Sequence, residues 1–452
     1  MLLITVDGLR ADAVSALPGA SDEIRGLTPH LDALIADADW AGRAIAPSTA
    51  TVPSIASLLT GLRPWQHQAL LPDQAGLSEE LLTLGEALQG LGYTTSAYVS
   101  GYWYPRGYGY QQGFDQYRAL NRGSRAAGHL ASLGAEADFL WIHLEALQPP
   151  YRLRGRVRRQ LQVFPGTSGD ELTAAELETY RNPLVPLPPE EQRRFLAFYR
   201  ADVAILDVRI GRLLKGLRES GQWDRSTVVV VAAHGEEFGE QGQVGHSNNL
   251  GPATLEVPLI VKLPRGSGRT IQLPPGEPVA AARVWATLVE LAGGSAAPAV
   301  PPSLFAKAPP GVVSELYLAD GANHFSLVEG RYQLLREVRF GHEDDYYRAR
   351  RRLAGARLPR PLDEPAEEVL ARLWRVFERT PPFTGIAPGV RSKVREQLVE
   401  WTSTGVVPVD DAERRRVMAA ELERRWRAFA PPEEPPASAV LRRPMAGPDA
   451  PP

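Results

Sequence analysis

Cysteine is absent from this 452-residue chain, and methionine occurs three times. That removes disulfides, thiolate metal sites and cysteine nucleophiles together. Lysine is almost missing: only Lys215, Lys262, Lys307 and Lys393 interrupt a set of 50 basic residues that is otherwise arginine. A single arginine beside a motif therefore says little about anion binding. No apolar run approaches the roughly 18 residues that span a bilayer. The opening Met1-Leu2-Leu3-Ile4-Thr5-Val6-Asp7 has neither a charged n-region nor a cleavage site. The expectation is a chain without a signal peptide, located in the cytoplasm. A formal net charge of -3 gives no support to general binding of nucleic acid or of a membrane surface.

What is present is an ordinary globular mix, 44% hydrophobic and 23% charged, which excludes wholesale disorder. Five short apolar runs with β-branched content read as buried parallel strands: Leu2–Val6, Thr94–Val99, Phe139–His143, Thr227–Ala232 and Val257–Lys262. Helical patterns lie between them, at Leu81–Leu91 and at about Glu190–Glu219. In the second, Phe195, Tyr199, Val203, Leu206, Ile210, Leu213 and Leu217 step by three or four, which one apolar helix face requires. Strands alternating with helices imply an α/β sheet covered on both faces, with ligands at the carboxyl ends of its strands.

Residues 1–302 read as the core and 303–430 as a C-terminal α+β subdomain with a helical extension. Residues 431–452 read as a disordered, proline-rich tail. Residues 151–189 read as an insertion. Short alternating runs between Val312 and Phe340 predict an antiparallel sheet. Helices are expected at about Pro365–Thr380, Val390–Thr402 and Asp410–Phe429. The Arg348-Ala349-Arg350-Arg351-Arg352 run and Arg414-Arg415-Arg416 read as solvated faces.

Two strand ends carry candidate chemistry. Asp7 follows the first strand directly and is either a helix cap or a ligand for a divalent cation. In Ala46-Pro47-Ser48-Thr49-Ala50-Thr51-Val52-Pro53-Ser54, Pro53 suits the first turn of a helix that Gly61 ends. Thr51 then sits at a helix N-terminus, where free N–H groups favour phosphate or sulfate. A hydroxyl there is either a plain cap or a nucleophile activated by a metal. Downstream, Ala233-His234-Gly235-Glu236-Glu237 follows a strand, and Gly245-His246-Ser247 comes shortly after. Neutral imidazoles in that position suit a metal or a phosphoryl oxygen.

In their order, these motifs resemble the alkaline phosphatase superfamily, in particular its sulfatase-like and nucleotide phosphodiesterase-like branches. Asp7-Gly8-Leu9-Arg10 matches the first metal motif. Thr51-Val52-Pro53-Ser54 with Leu58-Leu59-Thr60-Gly61 matches the nucleophile helix. His234-Gly235-Glu236, Gly245-His246 and Val257-Pro258-Leu259-Ile260 match the second metal motif. The resemblance implies an alkaline phosphatase-like α/β core with a mostly parallel central sheet. It implies a metal-dependent hydrolase or transferase acting on a small phosphate or sulfate ester. Thr51 would be the nucleophile, His246 a second catalytic residue, and Asp7, His234 and Thr51 the ligands of a divalent Zn, Mn, Mg or Ca ion. In true sulfatases the position of Thr51 holds a Cys or Ser converted to formylglycine, which Thr cannot become, so the resemblance leans towards phosphoester chemistry.

Four positions depart from the family pattern. Ala233 stands where a metal-binding Asp is expected, and Gly8 where many relatives carry a second Asp. Ile55 replaces an Arg. Gln148, in His143-Leu144-Glu145-Ala146-Leu147-Gln148-Pro149-Pro150-Tyr151, replaces a substrate-binding His. Gln can hydrogen-bond the ester but cannot act as a general acid. Ala233 is either a natural divergence or an introduced Asp→Ala change; Gln148 and Ile55 favour divergence. The alternative function is a catalytically degenerate pseudoenzyme that serves as a binding or scaffold protein. The tyrosines of residues 98–110 either roof the pocket or pack in the core.

Overall fold

The computed structural model describes residues 1–70, 76–101, 108–120, 124–134, 137–152, 171–181, 185–274, 276–296, 300–308, 310–318, 322–340, 392–402 and 405–428. Seven strands form the central sheet: β1 (Leu2–Val6), β2 (Asp39–Trp40), β3 (Thr94–Val99), β4 (Gln116–Ala119), β5 (Asp138–Leu144), β6 (Val228–Ala232) and β7 (Leu259–Lys262), in the order β2-β7-β6-β1-β5-β3-β4. Strands β4, β3, β5, β1 and β6 run parallel. β7 pairs antiparallel with β6, and β2 antiparallel with β7.

The fifth expected strand thus needs two corrections. It runs against its neighbour, and Pro258 divides it, because proline has no N–H for a ladder. Glu256–Val257 pairs instead with Ala44–Ile45 in a separate small sheet.

β1 is central and buried throughout. Each fully buried aliphatic side chain contributes about 1.5–3 kcal/mol, so Leu2, Leu3, Ile4 and Val6 outweigh the cost of enclosing polar Thr5. That cost is itself reduced, since Thr5 Oγ1 is hydrogen-bonded to His143 and Trp141.

Helix α1 (Pro29–Ile35) and helix α4 (Ser124–Ala131) pack on the long α5 (Pro189–Glu219), while α2 (Thr51–Thr60), α3 (Leu84–Gly90) and α6 (Arg283–Leu291) contact one another. The apolar stripe expected of α5 is buried as read, including Phe195, Val203 and Ile210. Of the tyrosines of residues 98–110, Tyr98 and Tyr110 pack in the core and Tyr108 is exposed, while 102–107 lie outside the described residues.

The C-terminal sheet is antiparallel: β8 (Val312–Tyr317), β9 (Ala322–Glu329), β10 (Tyr332–Phe340), β11 (Ser392–Thr402) and β12 (Gly405–Pro408), followed by α7 (Ala412–Ala428). The helix expected at Val390–Thr402 is therefore a strand, whereas the last expected helix is present. The helix expected at 365–380, the 348–352 arginine run and the 431–452 tail lie outside the described residues.

α2 is held in place from behind. Gly61 ends it with φ 70, a left-handed conformation suited to glycine. His67, on the short helix Pro64–His67, hydrogen-bonds through Nε2 to the Pro53 carbonyl at 3.1 Å and the Ser57 hydroxyl at 3.0 Å, and accepts the Ala69 N–H at Nδ1 at 3.1 Å. Burial takes the His67 pKa down from 6.5 to about 3. The unfolded chain therefore binds one more proton than the folded one between those values. We expect this contribution to stability to be complete above pH 6.5 and lost as pH falls towards 3, by at most about 1.4 kcal/mol per pH unit. Urea unfolding of the protein and of His67→Gln across that range checks this; the variant should show a shallower pH dependence, and identical slopes would contradict it.

Candidate active site

Strand register brings the site together. β1 pairs Val6 with Leu144 of β5 and with Ala232 of β6. The ladders continue one step further, Asp7 N–H donating to Leu144 O at 3.1 Å and Ala233 N–H to Val6 O at 2.7 Å. Asp7 and His234 therefore emerge from adjacent strand ends. Asp7 does not cap a helix: the next short helical turn, Ala11–Ala13, begins after Arg10. The turn is fixed by Tyr199 of α5, whose hydroxyl donates to Gly8 O at 2.8 Å and accepts the Arg10 N–H at 3.0 Å. The Arg10 guanidinium is spent on Asp12, Glu240 and the Glu236 carbonyl.

Thr51 is the first residue of α2. Ser54 N–H already bonds Ala50 O, and Pro53 has no N–H, so the N–H groups of Thr51 and Val52 are the free donors of this helix end. Thr51 Oγ1 lies 2.8 Å from His234 Nε2. The other ring nitrogen, Nδ1, lies 2.8 Å from Gly235 O and must donate there, so Nε2 is the acceptor and the threonine hydroxyl is the donor. His234 is fully enclosed; burial and the neighbouring His246 lower its pKa to about 4, which keeps it neutral at ordinary pH.

The His246 ring stacks on that of His234 with centroids 4.3 Å apart. Its Nδ1 lies 2.8 Å from a carboxylate oxygen of buried Glu236. Burial opposes the charged form of His246, but Glu236 outweighs it and raises the pKa. The loop carrying His246 is tied to the start of α2: Ser247 N–H donates to Thr49 O at 3.0 Å and Thr49 Oγ1 to Asn249 O at 2.8 Å. Glu237 holds the same loop by accepting from the Gln241 and Gln243 N–H groups and from Asn249.

Asp7 is 2% exposed, and its Oδ1 has no hydrogen-bond partner. That oxygen is 3.9 Å from His234 Nε2, and Oδ2 is 3.5 Å from His143 Nε2. Burial resists ionisation of Asp7, yet the surrounding histidines, His143 first, hold its pKa below the usual value. His143 was not among the residues singled out from sequence. Trp141 Nε1–H donates to Thr5 Oγ1 at 2.9 Å, and Thr5 Oγ1 in turn lies 2.9 Å from His143 Nδ1, which fixes the ring whose other nitrogen faces Asp7.

Glu236 was also missed. Its carboxylate, with His234 and His246, forms a group whose donor atoms all lie within 4.8 Å of one another and could hold a metal ion. Sequence reasoning left the site with one carboxylate; the structure brings two. A buried, unbonded carboxylate oxygen beside a neutral imidazole, with a second carboxylate in the cluster, fits a divalent cation.

Ala233 is fully buried and offers no donor atom. Ile55 is a core side chain. Gln148 is half-buried and follows Leu147, whose carbonyl is anchored by the Tyr151 hydroxyl at 3.0 Å.

The mostly parallel central sheet, with Asp7, Thr51, His234 and His246 gathered at its strand ends, is an α/β fold of the alkaline phosphatase superfamily. Within it the chain belongs to the sulfatase family, whose model matches residues 1–133 and 138–294. The phosphonate monoester hydrolase of Agrobacterium radiobacter superposes with a TM-score of 0.58 at 18% identity, over 91% of this chain and 99% of that one. A 2-O GAG sulfatase gives 0.58 at 18% identity, over 75% and 82%. Human (Homo sapiens) iduronate 2-sulfatase is 36% identical over 92 residues, which is 20% of this chain and 16% of that protein. The match thus spans about a sixth of the length of that curated relative.

Thr5→Val keeps the shape of the side chain and deletes the hydroxyl that both Trp141 and His143 bond. The expected cost is about 1–3 kcal/mol in urea unfolding. An unchanged midpoint would show that the hydrogen bonds of Thr5 to Trp141 and His143 do not stabilise the fold.

Proposed function

We propose that this chain is a hydrolase or transferase of sulfate or phosphate esters that uses Thr51 as its nucleophile. One observation carries this: a threonine hydroxyl at a helix N-terminus, 2.8 Å from an imidazole nitrogen whose tautomer leaves it free to accept, beside a buried carboxylate. The hydrogen bond to His234 aims Oγ1 into the crevice. The free N–H groups of Thr51 and Val52 bind oxygens of the transferring group as its charge redistributes. Nε2 of His246 is the ring nitrogen left for another of those oxygens, and Glu236 keeps that ring oriented.

Asp7, His234 and Thr51, with Glu236 as a second carboxylate, are the residues that would hold a divalent cation. When bound it would lower the pKa of the Thr51 hydroxyl and offset the charge of the ester. Oγ1 attacks sulfur or phosphorus, the bond to the leaving oxygen breaks, and the proton of Thr51 ends on the departing alcohol. Water then releases the group from Thr51. Gln148 cannot supply a proton to the leaving oxygen, so esters of acidic alcohols, such as aryl esters, are the favoured substrates. The domain division at residues 302 and 430 belongs to this same reading, with the catalytic groups confined to the first unit.

Aryl sulfate, aryl phosphate, phosphodiester and phosphonate monoester substrates, each assayed with Zn, Mn, Mg and Ca ions, test the proposal. Turnover is expected for at least one and should fall at least a hundredfold in Thr51→Ala, about 2.7 kcal/mol. Retained turnover in that variant would remove Thr51 as the nucleophile. The second reading, a binding or scaffold protein that keeps the fold, is favoured by the missing donor at Ala233. It requires no turnover of any of these esters.

Ala233 gives a separate expectation. Its position, one residue beyond a ladder shared with Val6 and one before His234, would place an aspartate among the donors. Ala233→Asp should tighten Mn or Zn binding at least tenfold, about 1.4 kcal/mol, in a calorimetric titration. Equal affinities would mean that residue 233 does not face the cation.

A further inference from the structure

A second cavity lies away from the catalytic groups, behind α2. Its volume is about 130 Å³. Ile45, Leu62, Val279 and Val313 contribute an apolar wall, and three arginines, Arg63, Arg283 and Arg425, line it as well. Two of these cations meet a carboxylate, although Arg425 shares its own with Arg424. Arg63 pairs with buried Glu315, and Arg425 with Glu421 at 2.8 Å.

Arg283 is different. It is 2% exposed, yet among the described residues it meets no carboxylate. Nε donates to Pro302 O at 2.9 Å, and Nη2 donates to Ser303 O and Ala306 O, each at 2.5 Å. No described residue accepts from Nη1. Glu290, further along the same helix, is taken by Arg269 and the Ser303 hydroxyl. Arg283 is also the first residue of α6, where the helix dipole adds positive potential and disfavours a cation. Burial alone pulls its pKa down to about 10, with no acid opposing that effect. An anion reaching Nη1 from the cavity would add the charge-assisted hydrogen bond that the three neutral carbonyls on the other nitrogens do not supply.

We propose that this cavity binds a small organic carboxylate, its carboxylate on Arg283 and its apolar body against Ile45, Leu62 and Val279. Charge complementarity selects the anion. The apolar wall selects an organic one over inorganic sulfate or phosphate. Size bounds the body: this cavity is somewhat smaller than the roughly 150 Å³ that holds benzene, so one phenyl ring is the upper limit, and benzoate, with its carboxylate outside that volume on Arg283, is the largest probe to use. The site is independent of the proposed hydrolase chemistry.

Calorimetric titration of the full chain with benzoate and with benzyl alcohol, its uncharged counterpart, tests this. Benzoate should bind at least tenfold more tightly. Arg283→Met should abolish the preference. Because Arg283 also holds three carbonyls and that variant can unfold, Ala280→Leu serves beside it: it fills the cavity and leaves the guanidinium in place. A folded Ala280→Leu protein, checked by its melting transition, should lose benzoate binding. No binding of benzoate, equal binding of the alcohol, sulfate binding as tightly as benzoate, or benzoate binding that survives Ala280→Leu would each overturn the proposal.

Discussion

Everything at the site depends on the shared register of three parallel strands. Leu2–Val6 lies between Asp138–Leu144 and Val228–Ala232, and both ladders end level with one another. A one-residue slip would exchange the two faces of a strand and carry Asp7 or His234 away from the crevice. The buried aliphatic side chains of these strands set that register. The polar groups inside the same strands, Thr5, Trp141 and His143, are satisfied by one another across it. Stability and site geometry therefore come from the same pairing.

Much of this was legible in sequence. The runs at residues 2–6, 139–143 and 227–232 are mostly apolar because parallel strands buried on both faces favour apolar side chains, whereas Thr94–Val99 showed itself by its β-branched and aromatic residues. Thr51 and Gly61 marked the ends of a helix through the local chemistry of proline and glycine. Strand direction was not legible: hydropathy is the same read either way, so the antiparallel sense of Leu259–Lys262 left no trace. The strand Ser392–Thr402 imitated a helix for a specific reason. Val394 and Leu398 stand in register with Val338 and Leu334, but Glu396 between them stands opposite Arg336 and bonds it at 2.7 Å. An ion pair inside the sheet broke the alternation and left apolar residues four apart.

The two missed site residues differ in kind. Glu236 stands in an acidic pair with Glu237, and composition cannot tell which one faces the histidines. In the structure Glu236 orients His246 while Glu237 holds loop backbone. His143 sits within an apolar strand, where a histidine reads as a core residue. Only the register with Thr5 shows that its ring reaches Asp7.

Gly8 has φ 73, and a Cβ built there would lie 3.1 Å from the Leu147 carbonyl and 3.2 Å from its Cβ. Leu147 itself has φ 59, and its carbonyl is anchored by the Tyr151 hydroxyl. The two segments thus lie close enough that a side chain at position 8 would press on the backbone at Leu147. An aspartate at position 8 would therefore need the 147–151 segment to shift and the backbone to leave the glycine region, so backbone shape alone closes this corner of the site to a side chain.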